Sequence, residues 1–284
     1  MAKPPLIAII APGEMGAGVA RRLTERGARV ITTLAGRSAA SAQRAANAGM
    51  TDAAEGDLAA ADMILSIVPP GQALALAQQL AAVLAAATTK PLYVDCNAVA
   101  PATVLAIAAV IEAAGARFAD AGIIGNPPHS SGYTPVIYAS GAHAAAFAAL
   151  NDHGLDIRAM DGPVGQASAL KMCYAGLTKG LHAVGVSVML GAIEAGIAEP
   201  FFAEMAASQP QLLAYFTGRT PGIFPKAYRW VAEMEEIGAF LGGGGQQIYD
   251  GAARQFDRLA SDHAGAQIDE AAIRAFLGRA AQPD

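Results

Sequence analysis

The sequence predicts an α/β domain followed by an all-helical domain, and three observations carry that expectation. Over the first half, short apolar runs alternate with alanine-rich amphipathic segments, as repeated strand-helix units would. These runs are continuously apolar, the pattern of a parallel sheet covered by helices on both faces. From about Gly162 the chain reads as helix after helix, which sets the domains at 1–162 and 163–284.

In chain order, the run "LIAII" precedes a helical segment at 15–26, and "RVITTL" precedes one at 38–48. "MILSIV" precedes 71–86, "LYVDC" precedes 101–114, and "RFADAGII" closes the series. The next segment runs from Pro163 to about Gly196 with glycines but no internal proline, and Pro163 suits a first helical turn. Further on, "RWVAEMEEIGAFL" is amphipathic at helical spacing, with Trp230, Met234, Ile237 and Leu241 in one stripe. Alanine richness favours helix and asks for no functional explanation.

Composition narrows the function. The 284 residues are 54% hydrophobic and 15% charged, yet no uninterrupted apolar run reaches the roughly 18–20 residues of a membrane span. The richest stretch, "AVGVSVMLGAI", ends at Glu194 and reads as a buried helix at a subunit interface, so a homodimer is expected. The start, "MAKPPLIAII", carries too short an apolar run for a signal peptide, and a cytoplasmic protein is expected. Cys96 and Cys173 lack metal-ligand spacing, which argues against a disulfide frame or zinc site. A net charge of -5 without a basic run argues against nucleic acid.

The first chemical signal is "IAIIAPGEMGAGVARRL", a strand running through Gly13, Glu14, Met15 and Gly16 into a helix. That is the context of a dinucleotide-binding loop: Gly13 lets backbone approach a pyrophosphate, Gly16 lets helix and strand pack closely, and the helix N-terminus faces the phosphates. The first glycine of the usual pattern is Ala11 here. NAD-specific sites usually place an acid at the end of the second strand, but no acid occurs between Glu25 and Asp52. Arg37 and Ser38 stand there instead, a guanidinium and hydroxyl suited to a 2′-phosphate, so NADP(H) is the expected cofactor.

The motif order resembles the β-hydroxyacid dehydrogenase family, which includes 6-phosphogluconate dehydrogenase and hydroxyisobutyrate dehydrogenase, over essentially the whole chain. The matching pieces are "APGEMGAGVARRL", "AGRS", "ADMILSIVPPGQAL", "VDCNAVAP", "ADAGIIGNPP" and "GPVGQASALKMCYAGL". The resemblance implies a Rossmann domain joined by a long helix to a helical domain, with Val68, Pro69 and Asn97 at the cofactor. It further implies that Lys171 is the general acid/base, taking the proton of a substrate hydroxyl as hydride leaves the adjacent carbon. Desolvation in an apolar helix lowers a lysine pKa toward working pH, which fits that role.

Helical geometry puts Ala175, Thr178 and His182 within roughly 40° of the direction of Lys171, with Tyr174 on the flank. Thr178 is about 10 Å along the helix and within reach of a substrate, while His182, about 16 Å away, reads as a packed or interface histidine. Lys179 points off this face and reads as solvated or interfacial. Two departures from the family pattern stand out. Asparagine is usual where Ala175 stands, and serine where Ile124 stands in the loop that continues through Gly125 and Asn126. Each missing hydrogen bond to a charged substrate group costs about 1.5–3 kcal/mol, so a larger or less polar substrate is expected, with Asn126, Asn97, Tyr174 and Thr178 as replacement polarity.

The segment "TPGIFPKAYRWVAEMEEIGAFLGGGG" resembles a branch of the family with a distinct, poorly characterised helical C-terminal domain. The resemblance makes Arg219, Lys226 and Arg229 candidates for substrate-anion contacts, while Glu233, Glu235 and Glu236 read as a solvated face or partners of those cations. The expected activity is NADP(H)-dependent interconversion of a β-hydroxy acid or related alcohol and its carbonyl form. An NADPH-dependent imine reductase, to which Tyr174 could donate a proton, and a non-catalytic NADPH-binding protein are the alternatives.

Overall fold

Strands with apolar side chains on both sides need cover on both faces, and the first part of the chain is built around that requirement. A computed structural model describes residues 3–129 and 132–279. It divides into two compact units, Met1–Met172 and Cys173–Asp284. The change of character near Gly162 therefore precedes the division, which falls inside a continuous helix.

The first unit alternates strands and helices: β1 (Leu6–Ile10), α1 (Glu14–Glu25), β2 (Arg29–Thr32), α2 (Ala39–Asn47), β3 (Thr51–Asp52), β4 (Met63–Ser66) and α3 (Ala73–Ala86). It continues with β5 (Leu92–Asp95), α4 (Pro101–Ala113), β6 (Arg117–Ile124), β7 (Val136–Ser140), α5 (Ala144–Ala148), β8 (Asp156–Ala159) and the start of α6 (Gln166–Glu194). The strands form one sheet in the order β3-β2-β1-β4-β5-β6-β7-β8. Along β1, Ile7 and Ile9 pack with Val19 and Leu23 of α1, while Ala8 and Ile10 pack on the other face with Leu80 of α3 and Val104 and Ile107 of α4. Each such side chain contributes about 1.5–3 kcal/mol on full burial, which is why the strands are apolar throughout.

β1 pairs with β2 on one side and β4 on the other. Strand order reverses there, and the carboxyl ends of β1 and β4 flank the crevice where open α/β sheets take ligands.

The expectation of a purely parallel sheet ending at "RFADAGII" is corrected at this edge. β7 runs antiparallel to β6, and β8 is parallel to β7. The link from Ile124 to Val136 carries no crossover helix among its described residues, and a short connection of that kind returns the chain antiparallel. Pro163 is also not in the first turn of the long helix. It precedes Gly165, whose φ of 101° belongs to the left-handed region, and α6 starts only at Gln166.

The second unit holds the rest of α6 and α7 (Ala198–Ser208), α8 (Pro210–Arg219), α9 (Ala227–Leu241), α10 (Gly243–Ala264) and α11 (Ile268–Gly278). Met234 and Ile237 of α9 are fully buried, and the rings of Trp230 and Phe256 meet edge to face at 5.0 Å. The expected stripe breaks at Leu241, 47% exposed in the last turn of α9. By length and composition α6 could cross a membrane, but 44% of its most apolar window is buried within the protein. It also carries Lys171, Lys179 and His182.

Candidate functional site

The glycine loop follows from the packing of α1 against β1. A Cβ on Gly16 would lie 2.1 Å from the carbonyl oxygen of Ala11, so only glycine lets the helix come this close. Gly13 is different: nothing lies within 4 Å of where its Cβ would be. The fold itself leaves that space open at the N-terminus of α1, where backbone N–H groups attract an anion. A pyrophosphate fits such a cradle. Glu14 is exposed in the first turn of α1, and Met15 packs partly against the core.

Beyond β2, Arg37 is exposed and Ser38 is the N-cap of α2, its Oγ accepting from the Ser41 amide at 3.3 Å. Arg44, which the sequence reading did not single out, donates from Nη2 to Ser41 Oγ (2.9 Å) and from Nε to the Pro12 carbonyl (3.1 Å). This side chain ties the first turn of α2 to the glycine loop. Periodicity gave no hint of it, because Arg44 reads as a solvated cation in an alanine-rich helix.

A cleft of about 760 Å³ adjoins these residues, lined by Thr33, Gly36, Arg37, Asp52, Glu55 and Leu76 among others. The acid missing from β2 is supplied by β3: Asp52 pairs in register with Thr32, and its Oδ1 accepts from the Leu34 amide at 2.9 Å. A two-residue strand is too short to show in a hydropathy pattern.

At the ends of β4 and β5 a buried polar network holds the next loop. Asn97 accepts from the Val68 amide at 2.7 Å and donates to Ser66 Oγ (2.9 Å) and Asp95 Oδ2 (2.8 Å). Asn97 thus spends its side chain on the protein and fixes Val68, with Pro69 exposed beyond it. Burial pushes the Asp95 carboxyl up to about 7, against the hydrogen bonds from Asn97 and with a further push from Asp120 on the adjacent strand.

Lys171 lies in the second turn of α6, half-buried, and its Nζ donates to the Ile123 carbonyl at 2.7 Å. The helix lies directly over β6: a Cβ on Gly122 would come within 2.9 Å of both the Ala167 carbonyl oxygen and Lys171 Cβ. Ile124 is half-buried next to this contact, Gly125 and Asn126 are exposed, and the Asn126 amide donates to the Tyr133 hydroxyl at 3.2 Å.

In the second unit Tyr174 is 51% exposed, Ala175 only 2%, and Thr178 turns its hydroxyl back to the Tyr174 carbonyl at 2.8 Å. Two sequence expectations are corrected here. Lys179 is not solvated and Glu233 is not on a solvated face: they form an ion pair with side chains 18% and 11% exposed, and Lys179 Nζ sits 4.9 Å from the Trp230 ring centroid. His182 is a packed histidine as expected. Its ring stacks on Tyr215 at 5.0 Å, its Nδ1 lies 3.2 Å from Thr220 Oγ1, and burial, helped by Arg219, holds its pKa down to about 4. Among the described residues no group of three or more histidine, cysteine or carboxylate side chains could hold a metal.

This arrangement, a glycine loop at the sheet's switch point and a lysine over the sheet's far side, is the architecture of an NAD(P)-binding oxidoreductase. Residues 6–153 match the NAD binding domain of 6-phosphogluconate dehydrogenase, and the chain belongs to that family. Residues 192–259 match a domain of unknown function (DUF1932). The conserved protein MTH1747, of unknown function and described as structurally similar to 3-hydroxyacid dehydrogenases, is 30% identical, with a TM-score of 0.69 over 91% of this chain and 98% of its own. A 3-hydroxyisobutyrate dehydrogenase from Salmonella typhimurium is 17% identical with a TM-score of 0.67, covering 95% and 99%. An imine reductase from Myxococcus stipitatus in complex with NADP+ is 18% identical with a TM-score of 0.52, covering 98% and 100%. No protein of curated function matches the sequence.

Proposed function

We propose that this protein is an NADP(H)-dependent oxidoreductase that interconverts a β-hydroxy acid or related alcohol with its carbonyl form, using Lys171 as general acid/base. The observation that carries the proposal is the placement of Lys171, half-buried on α6 with Nζ anchored to the Ile123 carbonyl. Bound nicotinamide supplies the hydride acceptor in oxidation and the donor in reduction. The neutral amine of Lys171 takes the hydroxyl proton as the C–H bond breaks, and the ammonium returns it to the carbonyl oxygen in reduction. The bond to Ile123 holds the nitrogen in one position, so the proton is moved at a fixed point.

NADP(H) is favoured over NAD(H) by Arg37 beside Ser38 and by Arg44 on Ser41. Among the described residues neither arginine has an ion pair with a carboxylate, which leaves Arg37 before α2 and Arg44, reaching back from its last turn to Ser41, as two cations for a 2′-phosphate. Asp52 in the same cleft is engaged by the Leu34 amide. The proposal includes a cytoplasmic homodimer that takes only small-molecule substrates.

The test uses cofactor fluorescence and a panel of hydroxy acids assayed with NADP+ and NAD+. Lys171→Met is expected to bind NADPH as the parent does and to lose about 10²–10⁴-fold in turnover. A tenfold or larger preference for NADH would overturn the reading of Arg37. Imine reduction is the second reading, favoured by Ile124 and Ala175 in place of polar anchors for a carboxylate. Turnover of a cyclic imine that survives Lys171→Met and is lost in Tyr174→Phe would select it.

A further inference from the structure

We propose that Asp120 is a positioning residue for Lys171, acting as a cap supplied by the sheet to the helix that carries the lysine. This rests on the reading of Lys171 as the acid/base.

The first turn of an α-helix has N–H groups with no partner inside the helix. At α6 the residue before the helix is Gly165, which has no side chain to cap with. The acceptors come from the sheet instead. Asp120 Oδ2 accepts from the Gly165 amide (2.9 Å), the Ser168 amide (3.0 Å) and Ser140 Oγ (2.9 Å), and Oδ1 accepts from Ser168 Oγ (2.7 Å). Ser140 Oγ accepts in turn from the Ala167 amide at 3.0 Å. Asp120, Ser140 and Ser168 are all fully buried. One carboxylate therefore accepts four hydrogen bonds at the first turn of the helix.

The same strand then receives the lysine. Asp120 holds the first turn of α6, Gly122 lets the helix lie against the strand, and the Ile123 carbonyl takes Lys171 Nζ. Because β6 is hydrogen-bonded on both sides, to β5 and β7, holding the helix start at Asp120 sets the distance at which Lys171 meets Ile123. The titratable groups facing Asp120 are Asp95, opposite it in register on β5, and Cys96 just beyond that strand.

The experiment is competitive acetylation of the full-length protein with trace acetic anhydride across pH, read by mass spectrometry of the Lys171 peptide with Lys90 as internal reference. Asp120→Asn keeps the shape but replaces one acceptor oxygen by a donor. Lys171 is expected to acetylate about fivefold faster or more relative to Lys90, with a shifted pH midpoint. A cooperatively folded Asp120→Asn whose Lys171 reactivity and midpoint equal the parent's overturns the proposal, because a purely structural role would change only the melting temperature. If Asp120→Asn does not fold, Ser168→Ala and Ser140→Ala, each lacking one hydroxyl, are read in the same way. The labelling needs no turnover, so it stands apart from the test of Lys171 itself: altered labelling together with an active Lys171→Met would remove the acid/base reading and leave the cap.

Discussion

Gly13 and Gly16 share one loop but answer to different demands, and the difference can be measured. Alanine at residue 16 would drive its Cβ into the Ala11 carbonyl, so Gly16→Ala is expected to lower stability by roughly 1–3 kcal/mol and to weaken NADPH binding with it. Alanine at residue 13 meets no protein atom, so Gly13→Ala is expected to melt with the parent and still to bind NADPH at least about tenfold more weakly, by keeping the phosphates off the backbone. Thermal melts with cofactor titrations separate the two, and a Gly13→Ala protein with parental affinity would show that the open space serves no ligand. Sequence pattern marked both glycines. It could not mark Asp120, Ser140 and Ser168 as one cluster, since they lie far apart in the chain and meet only where β6, β7 and α6 converge. The sequence put Asn97 forward as a candidate, but its employment as a brace for Val68 is visible only from its partners.

At the scale of elements, α6 is most informative within each unit it serves. Its second-unit portion carries Lys179, whose pairing with Glu233 of α9 is largely withdrawn from water. Removing one partner leaves a buried charge unmatched, so Glu233→Ala is expected to cost about 3–5 kcal/mol in denaturant unfolding. The double variant Lys179→Met/Glu233→Leu should recover most of it; failure to recover would mean that the pair is held by more than its own charges. The sequence left Lys179 as solvated or interfacial and Glu233 as a solvated residue or a partner of Arg219, Lys226 or Arg229, and the pairing of α6 with α9 joins the two to each other instead. The same helix also exposes Leu177 (73%), Val184 (57%) and Val188 (50%), spaced at whole turns. Such a stripe on one helix face fits a second copy of the chain. Val184→Asp with Leu177→Asp is expected to turn a dimer into a monomer in light scattering; a parent protein that is monomeric at micromolar concentration would end the dimer proposal.

For the whole molecule, pH gives a reading of the helical unit's integrity. His182 has its pKa held near 4 by burial, below the roughly 6.5 of an unfolded histidine. The unfolded chain therefore binds a proton more readily, and the stability held above about pH 6.5 is lost as pH falls toward 4, to a total of about 3 kcal/mol. The raised Asp95 carboxyl acts in the opposite direction over the same range, so the His182 contribution is read as a difference: between pH 7.5 and 4.5 the parent's denaturant midpoints should fall relative to those of His182→Phe, and identical slopes would show that the ring is not protected from protonation. The sequence alone determined the α/β and helical halves, the glycine loop, the second-strand cation and the lysine, because each is written in local periodicity or in a short contiguous motif. Tertiary structure alone decided the antiparallel turn at β7, the arrival of Asp52 beside the Arg37 loop, the bridge made by Arg44 and the carboxylate cap on α6. Those features depend on which distant residues share an edge of the sheet, and hydrogen bonds between residues far apart in the chain leave no period in the sequence.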